Sequence, residues 1–308
     1  MNSNPQFNYK LIDVVEDLLK INIKNVEMPI QGMDNQIFFI TDNHKKEYVI
    51  KYGKNVLADK KAFELLKRNS IDVKVPEVIK TFMLANKHGL ILEKINDPLL
   101  ESIEISEMHK YIPSMIDNLK KIHTVKANRA GFILNEESSL SWKDFLLSFF
   151  NDEDYLNWQS IIERKTLNKE LIENSIKNVI EKINNQEFIN NSYSLLHSDF
   201  NQRNLFINTE TNEITAIIDW TESMFGDPLY DFARIRMLIW HFDLGQEVID
   251  YFDSQLNLSD KQKELLELYW LVRVIEYLAY YSEEPNEFNT NRIKLHQEFL
   301  QNYIWSAK

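Results

Sequence analysis

The stretch from Leu195 to Trp220, LLHSDFNQRNLFINTETNEITAIIDW, restricts the fold of this chain more than any other. Leu195 and Leu196 lead into a polar run from His197 to Asn204. Leu205-Phe206-Ile207 follow it, and Ile214 to Ile218 form a second apolar run that stops at Asp219. Apolar runs this short, bounded by polar clusters, read as strands, and Asn208 to Asn212 reads as the hairpin turn between two of them. A loop, a hairpin and a carboxylate at a strand end would bring Asp199, Asn204 and Asp219 near one another.

Those three residue types carry a chemistry. An H-x-D-x-x-x-x-N string alone occurs by chance in many chains, but set between strands it fits a kinase catalytic loop. Phosphoryl transfer passes through a loose transition state, so few residues are needed, chiefly to position the reactants and neutralise charge. Asp199 is the expected catalytic base, accepting the proton of an attacking hydroxyl. Asn204 and Asp219 are the expected magnesium ligands, because Mg²⁺ prefers oxygen donors from one or two carboxylates completed by phosphates and water. His197 is expected to be structural, bonded to the loop backbone.

The segment before about residue 95 has a different grain. Gln36–Ile40 and Tyr48–Tyr52 have strand composition, joined by a polar turn from Thr41 to Lys46. Lys51 is therefore a strand lysine, of the kind that contacts nucleotide phosphates and is held by an acid on the following helix. Asp59 and Glu64 both lie on the helix expected from Val56 to Lys67. Gly32-Met33-Asp34-Asn35 would be the phosphate-covering loop, with Gly32 and Asn35 as contacts, although it has one glycine where protein kinases have three. Leu90 to Glu93, followed by Lys94 and Ile95, reads as a strand and hinge whose backbone at Glu93 and Ile95 would read a purine edge. Beyond Pro98 helices dominate: Met108–Thr124, Trp142–Phe150, Tyr155–Arg164, Lys169–Asn184, Leu229–His241, Leu244–Gln255, Asp260–Tyr281 and Asn289–Trp305, the first with apolar residues at three- and four-residue spacing. The expected architecture is α+β and bilobal, protein-kinase-like. A small β-rich nucleotide lobe would span 1–95, with a hinge at about 92–96, and a larger, mainly helical catalytic and substrate-binding lobe 96–308.

HSDFNQRNLF and AIIDWTESMFGDPLYDFARI together resemble the aminoglycoside phosphotransferase family, and the run after IDW, with SWKDFLLSFFNDEDYLNWQ upstream, is similar to its hygromycin-phosphorylating branch. The resemblance covers the C-terminal two thirds of the chain. It implies ATP or GTP as phosphoryl donor, Mg²⁺, and an aminoglycoside acceptor. It favours Asp59 over Glu64 as the partner of Lys51. Glu222, matching a glutamate of the branch motif, would contact the acceptor, with Glu276 next and Glu283 and Glu284 after it. Asp227 and Asp231 would belong to the segment that braces the catalytic loop, although Asp227-Pro228 also reads as a helix N-cap. The chain departs from the branch at Arg203, where the branch has asparagine; Arg234 and Arg236 add further positive charge after Asp231. The acceptor therefore stays open between an aminoglycoside and a metabolic alcohol such as choline, a sugar or homoserine. A non-catalytic nucleotide-binding protein on the same fold is a third reading.

Charge bears on the partner. With 35 basic and 47 acidic residues the formal net charge is −12, which disfavours nucleic acid and anionic membranes and favours a cationic small molecule. Zero cysteines exclude disulfides and thiolate chemistry and fit a reducing cytoplasm. The N-terminus lacks a signal pattern, and the apolar stretch Leu265–Tyr281 carries Glu267, Arg273 and Glu276, so it reads as a core helix and not a membrane span. Seven histidines are scattered without ligand spacing, so no zinc site is expected. A monomer is expected.

Overall fold

The computed structural model describes residues 5–29, 35–137, 140–151, 156–188, 192–283 and 286–306. Gly32, Met33 and Asp34 of the expected phosphate loop, Tyr155 and Glu284 lie outside them. The chain forms two compact units. The first comprises residues 1–103 and 202–223, the second 104–201 and 224–308. The hairpin that follows Asn204 thus groups with residues 1–103 in the first unit.

The first unit is built on a five-stranded antiparallel sheet. Its strands are β1 (Ile23–Glu27), β2 (Asn35–Asp42), β3 (Glu47–Gly53), β4 (Val78–Leu84) and β5 (Lys87–Glu93), in the order β1-β2-β3-β5-β4. Alternation sets which face is covered: Phe38 and Ile40 of β2 and Tyr48, Ile50 and Tyr52 of β3 turn inward to meet Leu11 and Val15 of helix α1 (Pro5–Leu19). Moving one residue along β3 reverses the face, so Lys51 leaves that core and points to the side taken by α2 (Leu57–Arg68). Helix α2 buries Ala58, Asp59, Ala62, Phe63 and Leu66, an apolar stripe with one carboxylate in its first turn.

The second unit is mainly helical: α3 (Ile112–Ile122), α4 (Trp142–Asn151), α5 (Trp158–Ile162), α6 (Lys169–Asn185), α7 (Leu229–His241), α8 (Gln246–Leu256), α9 (Asp260–Glu283) and α10 (Glu287–Ser306). A four-stranded sheet, ordered β6-β8-β11-β7, supports them, from β6 (Lys126–Ala127), β7 (Gly131–Phe132), β8 (Tyr193–Leu196) and β11 (Met224–Gly226). The remaining strands, β9 (Leu205–Asn208) and β10 (Glu213–Ile217), pair as the expected hairpin within the first unit. Helix α9 packs on α6, α7 and α10, and at its centre Tyr269 meets Tyr230 and the fully buried Trp142. Among the described residues no helix is long and apolar enough to cross a membrane.

Two helices differ from expectation for visible reasons. The run expected as one helix from Met108 to Thr124 is a 3-10 segment over Ile105–Tyr111 followed by α3, because Pro113 in the first turn of α3 has no N–H to continue a preceding helix. Helix α5 begins only at Trp158, where the Asn157 side chain accepts a hydrogen bond from Ser160 N–H and caps it.

Candidate active site

In the first unit, three expected residues meet around one cation. Lys51 Nζ lies 2.7 Å from Asp59 Oδ2 and 2.7 Å from Asp219 Oδ1, so it bridges two carboxylates brought from a helix and from the end of the hairpin. Asp59 also accepts the N–H of Trp220 at 2.6 Å through its other oxygen, tying α2 to the segment after β10. Burial works against charge on Lys51, but the two carboxylates outweigh it and raise its pKa, so the ammonium stays protonated. Burial likewise pushes the Asp59 carboxyl upward, against the pull of Lys51. Glu64, the alternative acid, is exposed and pairs only loosely with Lys60 at 3.8 Å.

The hairpin sets the relation of Asn204 to Asp219. Leu205 pairs with Ile217, and one step outward the Ile218 N–H donates to the Asn204 carbonyl at 2.9 Å, so Asn204 and Asp219 flank the open end of the two strands. Asp219 has φ 63°, a left-handed backbone conformation that costs a non-glycine residue about 1 kcal/mol or more. Lys51 and the Thr221 hydroxyl, both 2.7 Å from Oδ1, and the Trp220–Asp59 bond hold it there. Its side chain remains 42% exposed, so a ligand can reach it. Among the described residues no cluster of three or more His, Asp or Glu side chains is placed to hold a metal by itself. Asn204 and Asp219 supply one amide and one carboxylate oxygen, a hard-oxygen set that suits Mg²⁺ once phosphate and water complete it.

Asp199 belongs to the second unit, which frames it differently. The preceding residue, Ser198, has φ 71°. Asp231, fully buried on α7, accepts Ser198 N–H at 2.8 Å and His197 N–H at 3.0 Å, and its Oδ2 lies 2.9 Å from His123 Nε2. Burial pushes the Asp231 carboxyl up, yet His123 and the backbone donors prevail and hold it below the usual carboxylate range. From α9, Arg273 donates to the Ser198 carbonyl and, at 2.9 Å, to the Ser198 hydroxyl, while its plane lies over the Tyr230 ring. Asp199 itself accepts the Tyr277 hydroxyl at 2.9 Å, and Arg234 Nε lies 3.5 Å from the same oxygen.

The other expected residues fall as follows. Of the two aspartates after the hairpin, Asp231 braces the backbone of His197 and Ser198; Asp227 accepts Leu229 N–H at 2.9 Å and caps α7. Glu276 accepts from Arg273 at 2.9 Å and from the Tyr230 hydroxyl at 3.3 Å, so it faces inward as a counter-ion. Glu222 is exposed. Arg203 lies 3.3 Å from Glu101 on the surface of the first unit. Asn35 opens β2 opposite Gly53. Glu93 N–H is engaged by the Glu77 carbonyl, and Ile95 is buried just beyond β5. The reading from sequence missed Arg273, Tyr277 and His123. A clue to Arg273 was present: an arginine inside the apolar run LYWLVRVIEYLAYY must find a partner when that helix is buried.

A model of the phosphotransferase enzyme family (APH) matches residues 27–265. The chain belongs to the phosphotransferase enzyme family. Hygromycin-B 4-O-kinase of Escherichia coli is 29% identical over 96 residues, a match that spans 31% of this chain and only 26% of that relative. Among solved structures, a thermostable mutant of aminoglycoside phosphotransferase APH(4)-Ia in its apo form is similar with a TM-score of 0.75 and 16% identity, covering 96% of this chain and 99% of the other. The GDP complex of aminoglycoside 2'-phosphotransferase-IIIa reaches a TM-score of 0.67 at 13% identity, over 97% and 100% of the two chains. At such identities the likeness is one of fold, a β-sheet N-terminal unit followed by a largely helical one, and this family member shares it.

Proposed function

We propose that the chain transfers the γ-phosphoryl group of ATP or GTP to a hydroxyl of an aminoglycoside. The observation that carries this reading is Lys51, a buried, protonated amine held between Asp59 and Asp219, which come from segments far apart in sequence and have little reason to share a cation unless phosphate is to be met there. Lys51 draws charge from the donor phosphates. Asp219 and Asn204 would hold Mg²⁺, which when bound would neutralise charge on the phosphate oxygens. Asp199 accepts the proton of the acceptor hydroxyl as that oxygen bonds to phosphorus and the nucleoside diphosphate leaves. Ile95 supplies the backbone donor to the purine, since Glu93 N–H is already engaged by the Glu77 carbonyl; the Glu93 carbonyl is assigned as acceptor. Gly32 and Asn35 are assigned to the donor phosphates.

An aminoglycoside is favoured by the hygromycin kinase match, by a relative whose complex holds ADP and hygromycin B, and by a net charge of −12, which attracts polycations. Exposed Glu222 is assigned to the acceptor, whereas Glu276 is assigned to Arg273. The working unit is a monomer in the cytoplasm.

The test is turnover of the purified chain with Mg²⁺ and ATP or GTP on a panel of hygromycin B, other aminoglycosides, choline, sugars and homoserine. Phosphorylation of an aminoglycoside, lowered by about 10²- to 10⁴-fold in Asp199→Ala, is expected. Turnover of the metabolic alcohols alone would move the assignment to them, and nucleotide binding with no turnover would point to a non-catalytic protein.

A further inference from the structure

Two residues outside the expected set converge on Asp199 from different helices. Tyr277 of α9 donates its hydroxyl to Asp199 Oδ1 at 2.9 Å, and Arg234 of α7 lies 3.5 Å from that same oxygen. They are also joined to each other, the Arg234 guanidinium lying 4.8 Å from the Tyr277 ring centroid. Arg234 is buried, and burial raises the Tyr277 phenol well above its ordinary range, so the ring keeps its proton and remains a donor. The Asp199 side chain is 29% exposed on its loop, so its orientation bears on what can reach it.

We propose that Tyr277 and Arg234 are positioning residues for Asp199, holding Oδ1 and with it the orientation of the carboxylate that receives the acceptor proton. This rests on the reading of Asp199 as the base. In a loose transition state the carboxylate mainly supplies direction, and a displaced base loses rate with little change in binding. The proton passes from the acceptor hydroxyl to the Asp199 carboxylate as the new O–P bond forms and the bond from phosphorus to the leaving diphosphate breaks. The guanidinium stacked on the ring makes the clamp one body, so removing either group loosens the other.

The test compares the full chain with Tyr277→Phe, Arg234→Lys, Arg234→Met and Asp199→Asn, using Mg²⁺, ATP and hygromycin B. Tyr277→Phe keeps the ring and its cation–π contact and removes only the hydroxyl. Its kcat should fall about 10- to 100-fold while KM for both substrates holds within about twofold; Arg234→Met should behave alike, with partial recovery in Arg234→Lys. Crystal structures of wild type and Tyr277→Phe give a second readout that needs no turnover: the Asp199 carboxylate should turn from its wild-type orientation in the variant. Full turnover in Asp199→Asn would remove the base assignment itself. An inactive Asp199→Asn beside a Tyr277→Phe with wild-type kcat would overturn the positioning role alone. Should hygromycin B not be turned over, an unmoved carboxylate in Tyr277→Phe would overturn it equally.

Discussion

In the first unit a buried cation, Lys51, has two carboxylates as its partners; in the second unit a buried cation, Arg273, has a loop carbonyl and hydroxyl, one carboxylate and an aromatic face. Lysine is a point charge on a flexible stem, and the acids around Lys51 fix where that charge is without demanding a direction. Arginine is a planar fork, and here the fork reads the backbone of Ser198, the residue in left-handed conformation just before Asp199. One unit stores charge. The other stores geometry. Substitutions of the two cations should therefore fail differently.

Arg273→Met should cause the largest loss. It leaves Glu276 without its cation and Ser198 without two of its bonds, a break in a buried network that costs about 3–5 kcal/mol. Arg273→Lys keeps the charge for Glu276 but not the fork, and should recover about half of that loss in urea unfolding followed by helical circular dichroism. Equal effects of Lys and Met would mean that charge, and not direction, is what the second unit needs.

Lys51→Met should cost somewhat less, about 2–4 kcal/mol, because Asp219 is half-exposed and can take water while the buried Asp59 cannot. Trp220 reports on it, being the tryptophan of the first unit, with the other five in the second. Adding Asp59→Leu to Lys51→Met should restore part of the stability and none of the turnover. A double variant no more stable than Lys51→Met would show that Asp59 is held by Trp220 N–H and does not depend on the lysine.

How far the sequence foretold each region follows from how local its signals are. The Leu195–Trp220 segment was legible as strand, loop and hairpin because apolar runs and polar turns alternate within a few residues, and α7 matched its expected bounds because Asp227-Pro228 is a local start signal. Strand β11 was not read, since Met224-Phe225-Gly226 is too short to show a period. The division of labour between Asp227 and Asp231 is not local either: both sit near the start of one helix, and only the fold shows that Asp231 faces Ser198 while Asp227 faces Leu229. Arg273, Tyr277 and His123 act over separations of 75 residues or more. Periodicity places such residues on a buried face but does not name their partners.

Close packing gives a matched pair of smaller tests, one per unit. A Cβ at Gly226 of β11 would lie 2.4 Å from the Trp142 ring, and at Gly89 of β5 2.1 Å from the tip of the Phe82 ring. Trp142 cannot yield easily, being fully buried among Phe145, Tyr230 and Tyr269 and bonded to the Tyr269 hydroxyl. Phe82 is buried too, at 8% exposure, but the approach is to the tip of its ring and it has no hydrogen bond to hold it. Gly226→Ala should therefore cost about 2–3 kcal/mol and Gly89→Ala about 1 kcal/mol, despite the closer approach at Gly89. The reverse order, measured by urea midpoints, would show that the sheet of the first unit is the less forgiving of the two.

The smallest effect separates the units by pH. His296 on α10 sets Nδ1 2.9 Å from the Val274 carbonyl and Nε2 2.7 Å from His241 Nε2, and burial pushes its pKa down to about 3. An unfolded histidine titrates near 6.5. As pH falls below that value the unfolded chain takes up a proton that the folded ring refuses, so the second unit loses up to about 1.4 kcal/mol per pH unit until the folded value is reached. Lys51 runs the other way: burial opposes its charge but Asp59 and Asp219 raise its pKa, so its contribution is complete below about 10.5 and is lost as pH rises through the folded value. Between pH 6.5 and 5.5 His296 alone should therefore take about 1 kcal/mol from the stability followed by the helical signal, and the fluorescence of Trp220 should weaken first in alkali. In His296→Gln the acid slope should fall by about half, His241 being depressed by burial as well. An acid slope untouched by that substitution would place the titrating groups outside the α7–α10 contact.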